Sequence, residues 1–83
     1  MKNQRFKMSE VAANQFMMLA SGKVKIINSI LQLLSKADDD LLDIILINEH
    51  GNRWVYRQIY GKENVRLVFI RDEDGLFLQE IKV

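Results

Sequence analysis

The chain has 83 residues, enough for one domain and too few for a second hydrophobic core. Its 12 Lys and Arg nearly balance 11 Asp and Glu, and a net charge of +1 excludes a protein held on nucleic acid by overall charge alone, although a local basic patch stays open. A composition of 48% apolar and 28% charged residues excludes intrinsic disorder, and the absence of cysteine excludes disulfides, thiolate chemistry and Cys-ligated metals.

Along the chain, residues 3–8 are short and mixed. Phe6 and Met8 alternate with Arg5 and Lys7, which suits a brief edge strand as well as a frayed tail. Ser9 is a good helix N-cap, and Glu10 follows where the helix dipole favours negative charge. Val11, Ala12, Phe16, Leu19 and Ala20 then recur at helical spacing, predicting a first helix stopped at Ser21-Gly22-Lys23, with Gly22 free to take a left-handed C-cap conformation. A second helix is expected over residues 24–36. Val24, Ile27, Leu31 and Leu34 form its stripe, widened by Ile26, Ile30 and Leu33, and the short connection makes the two helices an antiparallel hairpin.

Asp38-Asp39-Asp40 breaks the pattern. Three adjacent carboxylates cannot all aim at one ion from a regular element, so they read as a solvated loop or a helix cap. Residues 42–48, rich in isoleucine, read as a buried strand, with a helical turn over residues 41–45 as the alternative. After a turn at Glu49-His50-Gly51-Asn52 come three strands in a row, at residues 53–60, 65–71 and 76–83. Asp74-Gly75 is the stronger of the two turn signals between them, because glycine accepts the positive φ of a hairpin reversal. The expected fold is therefore α+β, in the order (β)ααββββ: a helical hairpin packed on one face of an antiparallel sheet of four to five strands. The basic N-terminus has no apolar stretch behind it, and the longest apolar run, residues 41–47, is broken by Asp43 and too short to span a bilayer. A soluble cytoplasmic protein without membrane contact or cofactor is expected.

Few residues could carry chemistry. His50 is the single histidine and cannot supply a ligand set or a histidine-based triad. The four methionines at 1, 8, 17 and 18 fit either a helix-binding groove or core filling. Trp54, Tyr56 and Tyr60 share one strand face. Turned towards the helices they are core, and turned outward they make a platform on which bases could stack. Arg53 and Arg57 share the opposite face with Val55 and Ile59. Arg66 stands among apolar neighbours on a central strand and needs an anion there, either Glu80 or Glu63 or a phosphate. With Arg53, Arg57 and Lys62 it predicts a small basic cluster on the sheet.

A helical hairpin followed by Trp54-x-Tyr56-Arg57, then Arg66-Leu67-Val68-Phe69, an acidic turn and a last apolar strand resembles the RelE/ParE superfamily of toxins. The resemblance covers nearly the whole chain in element order and about the last thirty positions in residues. It implies a bacterial toxin with a cognate antitoxin protein as partner, acting on ribosome-bound mRNA as a nuclease in the RelE/YoeB branch or on gyrase in the ParE branch. By position, Arg66 and Arg57 are similar to the arginines that contact the scissile phosphate in the nuclease branch, where positive charge stabilises the phosphate during attack by a 2′-hydroxyl. The resemblance thus makes them the catalytic candidates, with Arg53, Lys62, Tyr56 and Tyr60 as nucleic-acid contacts. That branch also places a Tyr or His-Tyr just beyond the last strand, where this chain reads Ile81-Lys82-Val83. The expectation is a toxin that is degenerate as a nuclease or works by binding. The competing class is a non-enzymatic protein-binding module or homodimer that uses a sheet face or edge.

Overall fold

The computed structural model of the chain describes residues 6–60 and 63–83. Among these residues the chain forms five strands and three helices. In order they are β1 (Phe6–Met8), α1 (Glu10–Met17), α2 (Ser21–Lys36), α3 (Asp39–Ile45), β2 (Ile47–His50), β3 (Arg53–Tyr60), β4 (Glu63–Asp72) and β5 (Gly75–Lys82). The strands make one open sheet in the order β1-β5-β4-β3-β2. The α+β class is as expected, but the sheet is mixed. β1 runs parallel to β5, with Phe6 opposite Leu76 and Met8 opposite Leu78. The Ser9 amide extends that pairing by donating to the Leu78 carbonyl at 2.9 Å.

Ser9 caps α1 as its sequence position suggests, its Oγ accepting from the Ala12 amide at 3.0 Å. The same hydroxyl donates to the Gln79 carbonyl at 2.6 Å, so the helix start is tied to β5. One turn later the Gln15 side chain accepts from the Ile81 amide at 2.7 Å. That donor lies beyond the reach of the three-residue β1, and a side chain satisfies it where no strand does.

Gly22 corrects an expectation. α1 ends at Met17, with Met18 as a right-handed C-cap whose amide reaches the Asn14 and Gln15 carbonyls at 3.2 Å. The end tightens without a left-handed residue, and Gly22 falls inside the first turn of α2. Met17 and Met18 are 75% and 87% exposed, so neither fills the core.

The second correction is α3, which lies where a strand was the leading expectation; the alternative, a helical turn over residues 41–45, is what forms. Asp38 caps it by accepting from the Leu41 amide at 2.8 Å, and Asp39 and Asp40 fill its acidic first turn. A strand would turn Leu42, Ile44 and Leu46 to one side. As a helix, the segment buries Leu42 and leaves Ile44 80% exposed, while its C-cap Leu46 is also buried.

The core lies between the helices and one face of the sheet. Ala12, Ile27, Ile30, Leu34 and Leu42 from the helices meet Tyr56, Leu67, Phe69, Leu78 and Ile81 from the strands. Two turns set the strand order. Gly51 has φ 55 at the β2–β3 reversal, and Gly75 has φ 125 where β5 begins. In the second turn the Asp74 amide donates to the Asp72 carboxylate at 2.8 Å. No helix among the described residues is long and apolar enough to cross a membrane.

A candidate anion-binding face on the sheet

Alternation along β3 and β4 sends every second side chain away from the helices. Register places Val55 opposite Val68, Arg53 opposite Ile70, and Arg57 opposite Arg66 on this outer face. Val55 and Val68 are 3% and 0% exposed yet stand outside the helix-covered core. Among the described residues no helix packs there, so the long stems of neighbouring outer-face side chains shield the valines.

β5 joins this face through an irregularity. Phe69 pairs with Leu78 but Val68 pairs with Glu80, so Gln79 is an extra residue in the strand. The bulge lets Leu78 and Ile81, three apart, both point into the core. It turns Glu80 and Lys82 outward, and Lys82 then stands opposite Arg66.

The result is a row of three cations, Arg57, Arg66 and Lys82, side by side across β3, β4 and β5. Like charges directly opposite one another destabilise a sheet, so such a row needs counter-charge. Part of it comes from the protein. Glu49 Oε2 lies 2.7 Å from Arg66 Nη2, its Oε1 lies 3.2 Å from Arg53 Nε, and Glu80 lies 3.8 Å from Lys82. Arg57 is exposed and makes no ion pair among the described residues. The row lines an open depression of about 310 Å³, together with Asn64 and Val83. A second depression of about 440 Å³ extends the outer face towards β1, with Arg53, Phe77 and Glu80 in its lining.

The structure thus brings Arg57 and Arg66 into direct register and links Arg53 to Arg66 through Glu49. Lys62 lies outside the described residues, as does the side chain of Tyr60, whose backbone pairs with Glu63. Tyr56 is 8% exposed and faces the core opposite Leu67, its hydroxyl donating to Gln58 Oε1. Its parity with the core-facing strand positions removes it from the cationic face, and the outward aromatic platform is not formed at this residue. Trp54 is half-buried on the helix side under Arg71, whose guanidinium carbon sits 4.8 Å from the ring centroid. Arg71 also reaches Asp43 at 2.6 Å and Asp39 at 3.4 Å, fastening α3 to the sheet.

Sequence reasoning missed Glu49 as the partner of Arg66 and Lys82 as a member of the row. Glu49 is seventeen positions away across a bulged turn, and the Lys82 direction depends on the Gln79 bulge, so no local pattern announces either. His50 is exposed at the end of β2, and no cluster of metal-ligating side chains occurs among the described residues. No family model matches the chain, and no curated protein or solved structure matches it at a significant level.

Proposed function

We propose that this protein binds the phosphate backbone of RNA on the outer face of its sheet, as a RelE/ParE-like toxin or toxin-derived protein that works by holding its target. The observation that supports this reading is the row of Arg57, Arg66 and Lys82, with Arg57 lacking an ion pair among the described residues. Arginine forks match phosphate oxygens, and a cation row without enough internal counter-charge is completed by an external anion. Of the described side chains lining the depression, the guanidinium, ammonium and amide groups can hydrogen-bond a phosphate. Such donors hold a phosphodiester in place, whereas strand cleavage also needs a proton acceptor for the attacking hydroxyl. On this reading a cognate antitoxin is the protein partner, and ribosome-bound mRNA is the target.

The test is fluorescence anisotropy with a short labelled oligouridylate over a salt series. Three phosphate contacts on a single strand give a slope of log affinity against log salt of about −2, and an Arg57→Ala, Arg66→Ala double variant loses most of it. Equal binding by wild type and double variant, both folded, overturns the reading. Growth after induced expression tests the toxin assignment itself, which requires arrest by the wild type and not by the double variant.

A second reading, a protein-binding module or homodimer, is favoured by the β2 edge. There Ile44 and Ile47 are 80% and 58% exposed beside a strand with one unpaired side. Light scattering separates the two readings: this one requires a dimer or complex that Ile47→Lys abolishes.

A further inference from the structure

Resting on the RNA-phosphate reading, we propose that Glu49 is a built-in competitor for the incoming anion and sets the site's preference for phosphate over carboxylate. Glu49 is the bulged residue of β2, where the register shifts between Asn48 and His50. The Asn48 side chain holds this turn by donating to the Gly51 carbonyl at 2.9 Å and the Arg53 carbonyl at 3.2 Å. The bulge aims the Glu49 carboxylate across the face, where each oxygen meets a different arginine, Arg53 at 3.2 Å and Arg66 at 2.7 Å.

The carboxylate therefore occupies the middle cation of the row and leaves Arg57 at one end and Lys82 at the other. An acidic peptide brings Arg66 the same group that it already holds, so exchanging one carboxylate for another gains little. A phosphodiester strand brings several anionic groups, engages Arg57 and Lys82 at once, and releases condensed counterions as it does so. It can displace Glu49 from Arg66, and the displaced side chain, 35% exposed, turns into solvent.

Glu49→Gln keeps the shape of the side chain and removes the competing charge. Glu73→Gln makes the same change in net charge at the exposed β4–β5 turn, beyond the opposite end of β4 from the cation row. Anisotropy with the labelled oligouridylate is expected to show Glu49→Gln binding about three- to tenfold tighter than wild type, the range for one or two exposed ion pairs. Its salt slope should match that of wild type, because the same three cations meet phosphate once Glu49 is displaced. Glu73→Gln should stay within about twofold of wild type, since a distant exposed charge is screened. A labelled peptide carrying a single glutamate should bind Glu49→Gln more tightly than wild type. If wild type and Glu73→Gln bind the RNA while Glu49→Gln binds no more tightly than Glu73→Gln, the competitor role is overturned and the binding face stands. If none of the three binds, the RNA reading falls and the competitor role with it. A thermal melt of each variant confirms that the folded protein is being compared.

Discussion

The two faces of the sheet are built from the same strands, with opposite solutions to burial. On the inner face Leu67, Phe69 and Leu78 are all 0% exposed beneath helices, and apolar contact satisfies them completely. On the outer face two valines are buried as thoroughly with no helix above them among the described residues, and the register sets Arg53, Arg57, Arg66 and Lys82 on the same face. The inner face uses its charges at the margin, where Arg71 joins α3 to Trp54. The outer face keeps charge in the middle of the sheet. The inner face is committed to stability, whereas the outer face carries like charges in register that folding alone would not select.

The sharpest break between the faces is a pair of truncations. Phe69→Ala opens a cavity in the helix-covered core and should cost about 3–5 kcal/mol in urea unfolding, a large part of the stability of a domain of this size. Val68→Ala, next in the chain and equally buried, removes two methyl groups on the face that no helix covers among the described residues and should cost only about 1–2 kcal/mol. A Val68→Ala loss well above that range would mean that the outer face is as tightly packed as the inner one.

Deletion of Gln79 tests the bulge. The regular pairing that results still carries Leu78 and Ile81 inward and Lys82 outward, so RNA binding should be kept. The loss of the Ser9 hydroxyl bond to the Gln79 carbonyl should lower stability by about 1 kcal/mol. Loss of binding with the fold intact would show that the bulge itself shapes the site. The smallest change in stability belongs to Arg57→Met, which keeps the apolar stem beside the valines and removes the charge. With no ion pair to lose among the described residues and a like charge opposite, it should alter unfolding by less than about 0.5 kcal/mol. The same variant should flatten the salt slope of RNA binding by about 0.7. A stability loss comparable to that of Val68→Ala would make Arg57 a structural residue.

Much of this molecule is local and can be read from the chain. Ser9 caps a helix because its hydroxyl reaches its own first turn, and Gly75 begins β5 because that position requires positive φ. Alternation on β3 puts Arg53 and Arg57 on one face, and a lone arginine on a central strand signals its need for an anion. Those features depend on neighbours within a few residues and can be read without the fold. The mixed sheet, the helix at α3 and the cation row depend on contacts between residues far apart in the chain. β1 meets β5 across nearly the whole chain, Leu42 and Leu46 bury together only when a core stands beside them, and one extra residue in β5 reverses the faces of Glu80 and Lys82. A two-residue periodicity survives until a bulge shifts it. The partner of Arg66 likewise arrives from a turn seventeen positions earlier, because ion pairs follow distance in space and not separation along the chain.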